Sequence, residues 1–433
     1  MKNLYLLAAS IAFLLTVVPA IAISPSWVIY SIPDENSFPA EHPVAISSDG
    51  SVLAELLGNS VYLIDLNGTI LWNYSATDTL RNVVMSGDGQ TIAAASWDNE
   101  LIYFDRDKHP KWSMKLPDNI LALAISGDGK FLVSGEGGTG SDSSGNITCI
   151  GRDGAILWSY PTPAPVVSLV MSDDGKYVAA GGNGYSLYQN TREPDIYFLD
   201  NTGRQIWSAR TLGGNSVAMD PGARSIAIGT RGKNIISLYN RDGTRLWTYP
   251  TPSEVTSVSI SPDGEYVYAA ISPFVSNGMQ VPPVVLSINR KGSLAWTYPE
   301  SKRTQDDWFT ALHSAKNATV IATGSSKGNI TLIGADGKAL EEYRTNELIE
   351  DFALSGDGRM VIARGLNSSY FFESGINSTT AIETTVPTVR FSDNTGSAQP
   401  VTGTASPRSS PFSALCPLAA TGMMIIAVIF RRV

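Results

Sequence analysis

An all-β, eight-bladed β-propeller of four-stranded antiparallel blades is the fold this sequence predicts, and three observations predict it. First, a Ser-x-Asp-Gly turn recurs at 47–50, 86–89, 126–129, 172–175, 261–264 and 355–358, with eroded copies at Asp220-Pro221-Gly222-Ala223 and Ser314-Ala315-Lys316-Asn317. Second, a glycine turn leads to an apolar residue and tryptophan, from Asn67-Gly68 to Trp72, Asp153-Gly154 to Trp158, Thr202-Gly203 to Trp207, Asp242-Gly243 to Trp247 and Lys291-Gly292 to Trp296. Trp112 follows a degenerate version, and Glu341 stands where the tryptophan after Asp336-Gly337 would be. Third, short apolar, β-branched and aromatic runs fill the spaces between turns, at a period of roughly 40 to 50 residues that marks a propeller or array. Seven blades is the alternative, if one eroded copy is not a blade.

Taking the elements in order, residues 1–22 read as a secretion signal: Lys2, an apolar stretch from Leu4 to Val18, and Ala20-Ile21-Ala22 as a small-x-small cleavage site. The propeller is expected over 23–375. Its fourth copy shows the plan, with strands at Val166–Met171, Tyr177–Ala180, Asp195–Leu199 and Gln205–Ala209, each bounded by Gly, Asp or Asn. Asp-Gly between two strands predicts a two-residue hairpin in which both turn residues have positive φ. A lone blade cannot bury both its faces, so blades must stack, and the recurrent tryptophans are expected to pack between them. The last copy has three strands, around Asp351–Leu354, Met360–Ala363 and Ser369–Glu373. Trp27-Val28-Ile29-Tyr30 supplies the missing fourth, which closes the ring and removes an open sheet edge.

After 375 the composition changes. Residues 376–410 are rich in Thr, Ser, Pro and Ala and read as an extended stalk. Residues 411–430 follow as a transmembrane or sorting segment, with 19 uncharged residues from Phe412 to Phe430, and 431–433 form a basic end. Arg431 and Arg432 stay cytoplasmic, which puts the propeller on the extracellular face of the cell membrane.

The Asp-Gly-x-x-Leu-Trp half of the repeat resembles the quinoprotein-like (PQQ-like) propeller repeat, and the Ser-x-Asp-Gly half resembles WD-type and lactonase-like repeats. The resemblance spans Trp27 to about Gly375. The quinone-using members carry an adjacent cysteine pair and a calcium site. Here Cys149 and Cys416 are far apart, so the resemblance implies a non-catalytic scaffold with no cofactor. The apolar span and basic end resemble archaeal sorting tails, with Ser410-Pro411-Phe412 in place of Pro-Gly-Phe.

Composition narrows the partners. Asp and Glu number 40 against 31 Lys and Arg, a net charge of −9, which argues against nucleic acid. Two cysteines build no disulfide framework; Cys149 is expected to be a buried strand thiol. Sequons at Asn67, Asn73, Asn146, Asn317, Asn329, Asn367 and Asn377 are glycosylation candidates on an exported chain. No nucleophile elbow or zinc-ligand spacing occurs, and His42, His109 and His313 are isolated.

Length variation between copies gives the one functional signal. The first-to-second and third-to-fourth strand turns are tight. The second-to-third connections swell at 135–146, 181–194 and 272–283, and the links between blades lengthen at 299–308 and 32–43. Both swollen classes lie on one face of a propeller, and repeat insertions commonly map to a binding face. The expected contacts there are Trp97, Asp98, Tyr185, Tyr188, Arg192, Phe274, Asp306, Asp307 and Trp308. The function expected is a cell-surface platform binding a protein or glycan. A structural envelope component without a ligand, and an exported hydrolase or lyase working at the central channel, are the alternatives.

Overall fold

The computed structural model describes residues 21–30, 43–107, 110–138, 144–182, 194–211, 215–276, 279–299, 307–317, 320–375 and 388–390. Eight antiparallel sheets follow one another along the chain. Blade 1 runs from Val44 to Ser75, blade 2 from Leu80 to Lys115, blade 3 from Asn119 to Thr162 and blade 4 from Val166 to Ala209. Blade 5 runs from Asn215 to Pro250, blade 6 from Val255 to Tyr298 and blade 7 from Phe309 to Arg344. Blade 8 takes Ile349–Leu354, Met360–Gly365 and Ser368–Glu373 from the end of the ring, and Trp27–Tyr30 from its beginning. Val28 pairs with Tyr370 and Ile29 with Ser369, antiparallel, so the ring closes on its N-terminal strand as expected.

The second strands are among the most buried of each blade, matched by the third strands in blades 3 and 8. Thr91–Ser96 is buried at every position, as is Ser225–Thr230. Such strands are covered on both faces by neighbouring blades, which is why they read as unbroken runs of small and β-branched residues. The fourth strands, such as Arg245–Pro250, alternate exposed and half-buried residues because they form the rim.

The tryptophans join the blades. The indole N–H of Trp72, Trp112, Trp158, Trp207, Trp247 and Trp296 donates to Arg106, Arg152, Asn201, Arg241, Arg290 and Ala335 respectively. Each acceptor is a backbone carbonyl in the third-to-fourth strand turn of the next blade, 2.7–3.1 Å away. Trp27 does the same from blade 8 to Leu66 of blade 1, at 2.8 Å. Beneath the ring sits the turn glycine of the receiving blade. Gly243 has φ 86°, and a Cβ there would come within 2.7 Å of Trp207 Cγ. Glycine is needed both for the left-handed backbone and for the close approach.

The tight turns differ from expectation in type. At each Ser-x-Asp-Gly copy only the glycine has positive φ; the aspartate does not. The loop is closed by Ser47 N to Val52 O at 3.0 Å, with Gly50 N to Ser47 O at 2.9 Å inside it. The serine hydroxyl explains the choice. Ser47 Oγ donates to Asp49 Oδ1 at 2.6 Å, and the same carboxylate oxygen accepts Ser51 N at 2.9 Å. That contact needs a right-handed aspartate, and it repeats in all six intact copies. Burial works against the charge on Asp49, Asp263 and Asp357. The serine and backbone hydrogen bonds outweigh it and hold these carboxyls below their ordinary range.

Two further differences concern register and edge. In blade 7, Ala315 N bonds to Val320 O as Ser47 N does to Val52 O. The eroded copy is therefore displaced by one residue, with Ala315 and not Ser314 at the serine position. Thr388–Arg390 lies parallel to Val28–Tyr30 as a fifth strand of blade 8, a pairing that the Thr/Ser/Pro-rich composition did not signal. The expected apolar span at 411–430 lies outside the described residues, as do most of the signal and stalk.

Candidate functional site

The loop face carries the second-to-third strand connections and the links between blades. Trp97 and Asp98 form the tight second-to-third turn of blade 2, and Asp307 and Trp308 lead into the first strand of blade 7. Blades 8 and 1 stand between the two pairs on the shorter way round, so the fold does not bring them into one cluster. Trp97 is half-buried, with the Arg81 guanidinium 4.2 Å above its ring. Asp98 accepts Ser96 Oγ at 2.5 Å and Lys115 Nζ at 2.9 Å, and these hold its carboxyl below the ordinary range. Asp307 is buried and accepts Asn329 Nδ2 at 2.9 Å. The Trp308 backbone pairs with Ser326, leaving its indole half-buried. Tyr185, Tyr188, Arg192 and Asp306 lie outside the described residues. Phe274 begins a short hairpin, Phe274–Ser276 with Met279–Val281.

Seven of the nine tryptophans serve the blade junctions. The remaining two, Trp97 and Trp308, both stand on the loop face.

A polar cluster that the repeat pattern did not reveal joins blades 7, 8 and 1. Glu55, fully buried in the second strand of blade 1, accepts Arg364 Nη1 at 3.1 Å and also accepts Ser369 Oγ, both from blade 8. Burial pushes the Glu55 carboxyl up, and Arg364 offsets this only in part. Nearby, His313 Nε2 lies 3.2 Å from Asp351 Oδ1. Tyr370 Oη donates to Glu347 at 2.7 Å. Glu350 stands at a bulge between Ile349 and Asp351. Burial, with Asp351 and Glu347 adding to it against Arg364, pushes its carboxyl up to about 7. The available signal was a lone charge inside an apolar run: Glu55 in Val-Leu-Ala-Glu-Leu-Leu and Arg364 in Met-Val-Ile-Ala-Arg-Gly. Chemically the pair is a closure clasp, because a half-broken buried ion pair is costly. Among the described residues no group of three His, Cys, Asp or Glu side chains is placed to hold a metal. Cys149 is a buried free thiol, pushed up to about 12 by burial.

The opposite face is knit by backbone. Asn317 N bonds to Gly356 O, Gly356 N to Ser48 O, Ser48 N to Gly87 O, Gly87 N to Gly127 O, and Gly127 N to Asp173 O, at 2.6–2.9 Å. This ladder links the first turns of blades 7, 8, 1, 2, 3 and 4. Lys316 Nζ reaches Asp173 Oδ1 at 2.7 Å, from blade 7 to blade 4, and so crosses the channel mouth. Blades 5 and 6 place Pro221 and Pro262 at the ladder position, and proline has no N–H to continue it.

Solved structures with similar folds are numerous. The C-terminal WD40 domain of Sif2 is 11% identical, with a TM-score of 0.65, over 82% of this chain and 99% of that one. Sqt1 from Chaetomium thermophilum, bound to the N-terminus of ribosomal protein L10, is 14% identical with a TM-score of 0.63, over 81% and 100%. BamB from Moraxella catarrhalis is 16% identical with a TM-score of 0.55, over 80% and 100%. At these identities the likeness is one of fold. No curated protein sequence matches the chain. A PQQ-repeat family model, described as outer membrane protein assembly factor BamB, matches residues 34–193 and 192–400, most of the propeller, and the chain belongs to that family.

Proposed function

We propose that this protein is a non-catalytic binding platform, held on the outer face of a cell membrane by its C-terminal segment, which engages a protein or glycan through its loop face. The observation that carries the reading is the placement of Trp97 and Trp308. Each is half-exposed and stands outside the repeated indole-to-turn positions, on the face where the connections between strands are longest. Tryptophan is among the side chains enriched at interface hot spots. Membership of a family described by an assembly factor supports a scaffold role, and a propeller of similar fold is known with the N-terminus of another protein bound. The signal-like start and the apolar span before Arg431-Arg432 support export and tethering.

The test is cross-linking capture on intact cells. Alanine at Tyr185, Tyr188 and Trp308 together is expected to abolish recovery of the partner, with the melting temperature unchanged; undiminished recovery refutes the loop-face assignment. Protease applied outside intact cells should remove the propeller, and protection of the propeller would refute its exterior placement.

A further inference from the structure

The turn face, opposite the loop face, carries a cleft of about 900 Å³ across blades 4, 5 and 6. It lies on the arc where proline interrupts the backbone ladder, and here arginine side chains do the bridging. Arg241 Nε donates to Ala223 O at 3.0 Å and Nη2 to Gly222 O at 2.5 Å, with its guanidinium 4.6 Å above the Tyr177 ring. Arg290 bonds to Ser225 Oγ at 2.5 Å, Gly264 O at 3.2 Å and Asn240 Oδ1 at 3.3 Å. Arg224 reaches the Asp263 carbonyl at 3.1 Å and Asp220 at 3.1 Å. The Arg241 and Arg290 guanidiniums are thus held in place by carbonyls, a hydroxyl and an amide, which leaves their charge uncancelled. Lys176 and Arg204 complete the lining. They touch Asp174 and Asp200, each at 2.9 Å, with their own side chains 63% and 78% exposed. The Lys176–Asp174 pair is exposed on both sides and worth little, whereas Asp200 is 16% exposed and is also held by Thr202 and the Arg204 amide.

Five cations line this cleft; Lys176, Arg204 and Arg224 face Asp174, Asp200 and Asp220, and Arg241 and Arg290 supply the charge that is not matched in this way. We infer that this cleft binds a short acidic peptide segment of a partner protein. Guanidinium charge fixed in place by neutral acceptors attracts an incoming carboxylate. Asp242, exposed on the same lining, can accept a peptide N–H group but would repel a dense row of phosphates. Ile206 and Tyr177 offer an apolar floor. A long polyanion would extend past the cleft over a chain of net charge −9, whereas a short segment meets only the cleft. The site is independent of Trp97 and Trp308, on the other face.

The probe is a fluorescent Glu/Gly peptide, with a Gln/Gly twin as control, titrated by anisotropy against the full chain in detergent. Salt-sensitive binding of the Glu peptide alone is expected. K176E/R204E should weaken it at least about tenfold. K130E/K338E, the same charge change at the matching repeat positions of blades 3 and 7, should leave it unchanged. K176A/R204A, which only removes charge, should show a smaller loss and guards against misfolding of the reversal variant. Equal losses in the two reversal variants, or no binding by the parent, would overturn the inference. So would binding of heparin or anionic vesicles at Lys176 and Arg204 without binding of the peptide.

Discussion

Between blades 5 and 6 the junction is a tryptophan resting on a turn: Trp247 donates to Arg290 O and its ring covers Gly292. Between blades 7 and 8 the same position holds Glu341, whose Oε1 accepts Gly375 N at 2.6 Å. The difference follows from how the ring closes. Every other blade joins its third and fourth strands through a turn, and that turn supplies the carbonyl for the indole and, in all but blade 2, the glycine for the ring. Blade 8 draws its fourth strand from the N-terminus, so it has no such turn. A tryptophan facing it would bury an unmatched N–H, which is costly. Glutamate instead accepts the backbone N–H where the chain leaves the ring, while its Oε2 is buried without a partner among the described residues. The regular junctions are apolar and repeated; the seam is polar and unique.

The sharpest way to break this comparison is to remove both parts. Trp207 is buried and stacks on Phe198 and Tyr239, with ring centroids at 5.4 and 5.2 Å. Trp207→Ala should cost about 3–5 kcal/mol in denaturant unfolding. Glu341→Ala should cost no more than about 1 kcal/mol, since it removes an orphaned acceptor along with a satisfied one. Equal costs would show that the seam carries as much as a regular junction. Next is the glycine under the ring: Gly243→Ala should cost about 2–3 kcal/mol, against about 1 kcal/mol for Gly58→Ala, whose added methyl meets nothing within 4 Å.

The seam should also answer to pH. Glu350 titrates near 4.5 unfolded and about 7 folded. The folded state holds the extra proton between those values, so stability is full below about pH 4.5 and falls as pH rises toward 7. Melts across that window should flatten in Glu350→Gln; an unchanged slope would remove Glu350 from the seam's charge balance. The turns should respond more weakly: Ser86→Ala frees Asp88 and the Thr91 amide from the hydroxyl and should cost about 1 kcal/mol. The smallest effect concerns sugars. Asn67, Asn73, Asn317 and Asn367 are exposed, whereas the amides of Asn146 and Asn329 already bond to Asp118 and Asp307. Peptide mass spectrometry should find glycans on the first four before the last two.

Much of the fold was legible because repeats write the same local contact many times. The six Ser-x-Asp-Gly copies, the Trp-to-turn spacing and the three-stranded last copy together gave the blade count and the closure by Trp27–Tyr30. The turn type is not legible in the Asp-Gly dipeptide alone, because the serine two residues before the aspartate bonds its carboxylate. Loop length pointed to the face on which Trp97, Asp98, Asp307 and Trp308 stand, but not to how far apart they lie around the ring. Trp97 and Trp308 sit on separate blades.

The sequence by itself determined the architecture: strand length, turn position, junction tryptophans and the odd partner at Glu341 all depend on hydrogen bonds and packing within a repeat or between adjacent ones. Only the tertiary structure decided what converges. Glu55 meets Arg364 across 309 positions, Lys316 crosses the channel to Asp173, and five cations from three blades line one cleft. The reason is geometric. Each blade is specified locally, but which side chains share a space depends on the rotation accumulated from blade to blade, and no single repeat contains that information.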